Sequence, residues 1–193
     1  MAEHIDSIRS SAMPRVNKAE FYAQCRPGRV LFCEGNYEIS RDIEAFTRSP
    51  FSHVATLLSF PFGRWGVLEA TMHHGVHIGL LDYYVEKYNG DLAIAETPLL
   101  DGADVSALLE TQFELIDDRY DVGQELSMVA HKLLRVYPIH VDRNEYFCSG
   151  LYEQGRKATR APLLWKGPGM ASPEQVWTDP SIVPVCALVK GRL

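Results

Sequence analysis

The sequence predicts an α+β protein in which a half rich in strands precedes a half rich in helices. Short apolar runs bounded by turn residues fill residues 28–97, a pattern that is typical of strands. From Asp104 to about Leu134 the apolar residues recur at helical spacing instead. Strands followed by helices, rather than strands alternating with helices, indicate the α+β class.

The chain is long enough for one domain with a substantial core. It has 193 residues, of which 46% are hydrophobic and 23% are charged, and single domains commonly reach about 200 residues. Residues 1–25 are predicted to be an N-terminal arm, because residues 1–20 are polar and show no clear period, which leaves a loose segment or a short helix. Residues 26–193 are predicted to form a single domain without repeats.

Turn signals divide the first half of the domain into elements. Pro27-Gly28 precedes a buried strand at 30–33, and the apolar residues of 39–47 recur at helical spacing until Ser49-Pro50 ends the pattern. Pro61-Phe62-Gly63 then turns the chain between two strands of a hairpin. The remaining strands of this half are predicted at 53–60, 65–71, 75–81 and 91–96.

The second half is predicted to be mainly helical. Asp118-Arg-Tyr-Asp-Val-Gly interrupts the helical pattern that runs from Asp104 to about Leu134. A further helix is predicted from Cys148 to about Thr159, after an extended stretch that ends at His140-Val141. The proline-rich tail contains a last strand at Val183–Leu188.

Composition and charge exclude several classes of protein. The net charge of -6 argues against a general nucleic-acid binder, which would carry a basic face. The first ten residues lack the apolar core of a signal peptide, and no apolar stretch approaches the ~20 residues of a membrane span. We therefore expect a cytoplasmic protein without an integral membrane segment, and nothing in the sequence specifies its oligomeric state.

The four cysteines do not resemble a disulfide framework or a metal knuckle, because their spacing is irregular and includes no CxxC pair. A metal site is one interpretation of His73, His74 and His77. These residues are predicted at a turn before a strand, however, and no helix brings them onto one face. We expect neither a metal nor another cofactor.

Cys148 is the strongest candidate for a reactive group. At the first turn of a helix a thiol meets unpaired backbone N–H groups and the positive end of the helix dipole, and both favour the thiolate. A single cysteine is more often a small buried packing residue. Its candidate partners are His53, which begins a strand after Ser-Pro-Phe-Ser, and Glu69, a carboxylate within an apolar strand that needs a donor.

Nucleophile, base and orienting carboxylate are the minimum set for a cysteine hydrolase or acyltransferase. The backbone N–H of Cys148 is the expected oxyanion donor. Tyr146 is a second candidate donor, although aromatic packing is the favoured explanation for it. Four further aromatic residues fit either ordinary packing or a cleft suited to acyl chains: Phe60, Phe62, Tyr83 and Tyr84.

Five segments together resemble a known family: Gly28-Arg-Val-Leu-Phe, Phe46-Thr-Arg-Ser-Pro-Phe-Ser-His-Val-Ala, Val67-Leu-Glu-Ala-Thr with Gly75-Val, Arg119-Tyr-Asp and Tyr146-Phe-Cys-Ser. They are similar to the permuted branch of the NlpC-type papain-like superfamily. That branch contains the YiiX/YaeF-like proteins and is related to the lecithin–retinol acyltransferases. The order His, acidic residue, Cys marks the permutation, because ordinary papain-like enzymes begin with the cysteine.

The resemblance implies a circularly permuted papain-like fold, in which an antiparallel sheet carries His53 and Glu69 and a packed helix carries Cys148. It implies that Cys148 is the nucleophile, His53 the general base and acid, and Glu69 the group that orients the imidazole. Family members often have Glu after Cys-Ser, where this chain has Gly150; we expect that difference to change helix contacts or substrate fit and not to remove catalysis.

The expected function is cysteine-dependent hydrolysis or transfer at an amide or ester bond. The competing substrates are a peptide or isopeptide and a lipid acyl group. The alternative is a catalytically silent binding or structural protein with the same fold.

Overall fold

A six-stranded antiparallel sheet forms the centre of the computed structural model, which describes Ile8 and residues 12–35, 51–119, 147–164 and 171–190. The strands are β1 (Val30–Gly35), β2 (His53–Ser59), β3 (Trp65–Thr71), β4 (Gly75–Leu80), β5 (Gly90–Glu96) and β6 (Val183–Leu188). Their order across the sheet is β4-β3-β2-β1-β5-β6. The strands expected from the sequence are confirmed to within one or two residues at each end.

Five helices of the described residues pack around this sheet: α1 (Lys18–Ala23), α2 (Leu81–Glu86), α3 (Gly102–Phe113), α4 (Cys148–Lys157) and α5 (Pro173–Trp177). The α+β class is therefore confirmed. Helices α1, α2 and α5 were not specifically expected, because five or six residues are too few to show a helical period.

Helix α3 corresponds to the first half of the helical region that the sequence predicts from Asp104 to about Leu134 with an interruption at Asp118. It begins two residues before Asp104 and ends five residues before Asp118. Asp101 caps α3 by accepting hydrogen bonds from the backbone N–H groups of Ala103 and Asp104. The helix ends at Phe113, and the chain then enters turns in which Asp117 has a φ of 73°. A left-handed residue does not continue an α-helix, which explains the early end. The rest of that expected helix, from residue 120, and the expected helix at 39–47 lie outside the described residues.

The two faces of the sheet carry separate apolar layers. Successive side chains of a strand point to opposite faces, so Leu57 of β2 packs with Phe21 of α1 and Leu81 of α2 on one side. On the other side, Val54 of β2 packs with residues of α3, α4 and α5. The sheet is therefore covered on both faces, and α4 approaches it on the face opposite to α2.

The described part of the expected N-terminal arm is packed into the domain. The side chains of Ile8, Met13 and Phe21 are buried. Ala187 of β6 donates a backbone hydrogen bond to Pro14 and accepts one from Val16, each 2.9 Å long. The segment thus lies along the edge of the sheet at β6. Its buried residues are irregularly spaced, which is why no period reveals them.

Within the described residues, no helix combines the length and the apolar character needed to cross a membrane.

Candidate active site

The site lies where β2 and β3 separate. Their pairing runs from Ser59 and Trp65 to Thr56 and Leu68, and it ends there although both strands continue. His53 is the first residue of β2, and Glu69 is the first residue of β3 beyond the last pair. The histidine and the carboxylate therefore lie where β2 and β3 no longer pair with each other.

His53 and Glu69 are in direct contact. His53 Nε2 donates a hydrogen bond to Glu69 Oε2 over 2.7 Å, and Glu69 is only 3% exposed. The hydroxyl of Tyr84 donates to the same carboxylate oxygen, and His77 Nε2 lies 3.5 Å from the other one. A buried carboxylate is costly without such partners, so the donors around Glu69 explain how an apolar strand accommodates it.

Cys148 begins α4 and meets His53 from the other side. Phe147 is the extended residue before the helix, and its side chain makes no capping hydrogen bond. The backbone N–H groups of the first turn are therefore not occupied by a side-chain cap. Helix α4 packs against β2 and β3, partly through Leu151. This packing brings Cys148 to the separated strand ends, where its side chain lies close enough to His53 to raise the pKa of the imidazole.

The electrostatics of the site favour a protonated imidazole. Burial lowers the pKa of His53, but hydrogen bonds with Cys148 and Glu69, together with the charges of both groups, raise that pKa to about 10. Burial by itself raises the pKa of Glu69. The hydrogen bond from His53, the charge of His53 and the hydrogen bond from the Tyr84 hydroxyl lower that pKa, and the result is below the ordinary value. The pair is therefore an imidazolium facing a carboxylate.

The other three cysteines lie in environments that oppose ionisation, and all four are free thiols. Burial raises the pKa of Cys25 to about 12 and that of Cys186 to about 11. Cys33, which pairs with His53 across β1 and β2, is fully buried, and burial followed by the charge of Glu69 raises its pKa well above the ordinary range. Among the cysteines, Cys148 alone begins a helix of the described residues.

The other candidate residues do not gather at this site as a group. Tyr146 lies outside the described residues. Phe60 packs with the apolar cluster beneath α4, whereas Tyr84 belongs to the cluster on the opposite face of the sheet, and Phe62 is fully exposed. These aromatic residues therefore do not line one cleft.

Tyr84 is the residue whose role the sequence did not reveal. It is 6% exposed and contacts Glu69 through its hydroxyl, but the two residues are 15 positions apart and belong to different elements. A helix of six residues has no visible period, so the sequence offers no signal for this contact.

The comparisons with known proteins concern the fold. No protein-family model matches the chain, and no curated protein matches it. Among solved structures, the chain is similar to the metalloprotein YiiX from Escherichia coli O157:H7, with 19% sequence identity and a TM-score of 0.54. The similarity covers 84% of this chain and 97% of that one. The described chain therefore has a YiiX-like α+β fold.

Proposed function

We propose that this protein is a cysteine-dependent hydrolase or acyltransferase with a circularly permuted papain-like fold, acting on an amide or ester bond. The observation that carries the proposal is the position of His53, which contacts Glu69 over 2.7 Å and lies close enough to Cys148 for that thiol to raise its pKa. Supporting the permuted fold are the chain order His, Glu, Cys and the placement of the first two on a sheet and the third at a helix start. The YiiX-like fold is consistent with it.

In the first half-reaction, Cys148 Sγ attacks the carbonyl carbon of the substrate. Glu69 holds Nε2 of His53, which leaves Nδ1 to exchange a proton with the thiol. The S–C bond forms, and the carbonyl oxygen becomes an oxyanion. His53 then gives its proton to the leaving amine or alkoxide as the C–N or C–O bond breaks, and a thioester remains on Cys148.

In the second half-reaction, water or an acceptor alcohol or amine attacks the thioester. His53 takes the proton of the attacking group, and the thiolate leaves, so that an acid or a transferred acyl product is released. Glu69 stabilises the imidazolium in both halves. The backbone N–H of Cys148, at a helix start that no side chain of Phe147 caps, is suited to hold the oxyanion.

YiiX is a metalloprotein, but the residues of this site do not fit a metal. His53 and Glu69 bond to each other instead of surrounding a common point. His77 Nδ1 donates to the carbonyl of Gly75. Among the described residues, no group of three or more His, Cys, Asp or Glu side chains has an arrangement that could hold a metal ion. The mechanism above therefore uses no metal.

The experiment that tests the proposal combines a thiol probe with a substrate screen. The purified protein is labelled with an iodoacetamide probe and then screened against acyl and peptidyl p-nitrophenyl esters, with and without EDTA. Cys148→Ala and His53→Ala should each abolish turnover, and the double variant should be no worse, because the residues act as a unit. Glu69→Gln should reduce turnover by roughly 10²–10⁴-fold, because an amide cannot stabilise the imidazolium.

Cys25→Ala, which changes a buried thiol that donates to the carbonyl of Phe21, is the matched control and should retain turnover in proportion to its folded fraction by circular dichroism. Full activity of folded Cys148→Ala and His53→Ala would exclude this mechanism and favour the binding protein. Activity that EDTA removes and zinc restores would likewise contradict a metal-free thiol mechanism.

A further inference from the structure

Tyr84 lies behind the histidine of the candidate site and contacts the carboxylate that holds it. Its hydroxyl donates to Glu69 Oε2, the oxygen that also accepts from His53. Its ring is parallel to the His53 ring, with 2° between the planes and 5.9 Å between the centroids. One tyrosine thus limits the movement of both partners.

The main chain around Tyr84 is anchored from the far edge of the sheet. Lys190 Nζ donates to the backbone carbonyl of Tyr84, and to that of Tyr88 over 2.9 Å. The backbone N–H of Lys190 donates to Asp91 at the start of β5. Helix α2 is therefore tied to the end of β6, which fixes the point from which the hydroxyl reaches Glu69.

Gly79 leaves the space that the carboxylate occupies. A Cβ atom at position 79 would lie 2.5 Å from Glu69 Oε1 and 3.1 Å from Val67 Cγ2. Any side chain there would force the carboxylate to move. Tyr84 therefore restricts the movement of Glu69 Oε2, and the backbone of β4 at Gly79 restricts that of Oε1.

We propose that Tyr84 is a positioning residue that holds the Glu69 carboxylate and limits how strongly it attracts the protonated His53 ring. The role deepens the proposed function and rests on it. A donor on Oε2 takes up part of the negative charge that would otherwise act on His53 alone. The hydroxyl remains a donor, because burial and the charge of Glu69 raise the pKa of Tyr84 above its ordinary value.

Among the described residues, the other titratable groups that act on Glu69, His53 or Tyr84 are Cys33 on β1, His77 on β4, Tyr88 after α2 and Cys148 on α4. None of them is altered by Tyr84→Phe, which keeps the ring and removes only the hydroxyl. In that variant the carboxylate charge acts more fully on the imidazolium, so His53 should hold its proton to higher pH.

The test is an NMR titration of the His53 ring in the full chain. At about pH 9.5, a larger protonated fraction than in the wild type is expected for Tyr84→Phe. The matched control is Tyr83→Phe, because the Tyr83 ring packs 5.6 Å from that of Tyr84 but its side chain is 55% exposed. It should titrate as the wild type does. Folding of each variant is checked by circular dichroism.

Turnover of the ester found in the screen supplies a second readout. Tyr84→Phe should lower kcat roughly tenfold with KM unchanged, because the imidazole is less well held. A His53 titration that is unchanged or moved downward in folded Tyr84→Phe would overturn the proposed role of Tyr84. A wild type without Cys148-dependent turnover would refute the proposed function, and the titration would still decide whether Tyr84 acts on His53.

Discussion

At the scale of single residues, His53 is controlled by two acidic neighbours. Glu69 contacts one side of the ring and Cys148 the other, and both favour the imidazolium over the neutral imidazole. The same contacts keep Glu69 ionised in a site where it is 3% exposed. The charge states of His53 and Glu69 therefore depend on each other.

The first prediction concerns the reactivity of the thiols. At near-neutral pH, iodoacetamide should modify Cys148 well before Cys25, Cys33 or Cys186. Burial raises the pKa of each of those three thiols, whereas Cys148 lies at a helix start beside His53. Peptide mapping by mass spectrometry after partial alkylation measures the order. Labelling of Cys33 or Cys186 ahead of Cys148 would contradict the assignment of the nucleophile.

The second prediction concerns stability and pH. The pKa of His53 is raised from 6.5 to about 10 on folding. The contribution of His53 to the stability of the fold is therefore complete below about pH 6.5 and is lost as pH rises through 10. The pKa of Glu69 is lowered on folding from 4.5. The contribution of Glu69 to the stability of the fold is therefore complete above about pH 4.5 and is lost at lower pH. The pair therefore stabilises the fold most between these limits.

Glu69→Gln removes this pair, and urea unfolding of both proteins measures the effect. The variant should be about 3 kcal/mol less stable than the wild type at about pH 6, and the difference should shrink toward pH 10. A difference that stays constant between these pH values would show that ionisation of His53 does not contribute to folding.

At the scale of elements, α4 begins at the candidate nucleophile Cys148 and has a buried, cationic end. Arg156 is fully buried near its C-terminus, where a cation complements the helix dipole. Its guanidinium donates to Thr97 Oγ1 over 2.8 Å, to Ser181 Oγ over 2.9 Å and to the carbonyl of Ala161. These contacts connect α4 to the end of β5 and to the segment before β6, which fixes the helix whose first residue is Cys148.

Arg156→Met should therefore destabilise the protein by about 3 kcal/mol, because several buried acceptors lose their donor. Lys157→Met is the matched control, since the Lys157 side chain is 52% exposed and pairs with Glu153 on the same helix. It should cost no more than about 0.5 kcal/mol. Chemical denaturation of both variants gives the comparison, and equal losses would show that the buried contacts of Arg156 do not stabilise the fold.

At the scale of the whole molecule, the sheet is completed by residues from both ends of the described chain. The segment around Pro14 and Val16 pairs with Ala187 of β6. Phe21 of α1 is fully buried against the same face of the sheet as Tyr84 of α2. The N-terminal segment thus belongs to the core that supports the site.

Phe21→Ala should cost about 3–5 kcal/mol in the free energy of unfolding, because it leaves a cavity beneath the sheet. Lys18→Ala on the same helix should cost less than about 1 kcal/mol, since its ion pair with Glu86 is half exposed. Urea unfolding monitored by fluorescence measures both. If Phe21→Ala lowered the free energy of unfolding as little as Lys18→Ala does, the packing of α1 would not contribute to the stability of the core.

The sequence by itself determined the local features of this protein. Alternating apolar residues and turn signals locate the strands, and a thiol after an extended stretch marks the start of α4. These features depend on neighbours in the chain, so a single sequence expresses them. It also indicated that Glu69, a carboxylate in an apolar strand, requires a donor, since burial of an unpaired charge is costly anywhere.

Only the tertiary structure decided how these parts meet. The separation of β2 from β3 beyond Thr56 and Leu68 creates the place where Cys148 approaches His53. The contact of Tyr84 with Glu69 and the pairing of the N-terminal segment with β6 join residues that are 15 and more than 170 positions apart. Such contacts are selected by the packing of the whole chain, and no periodicity within one element encodes them.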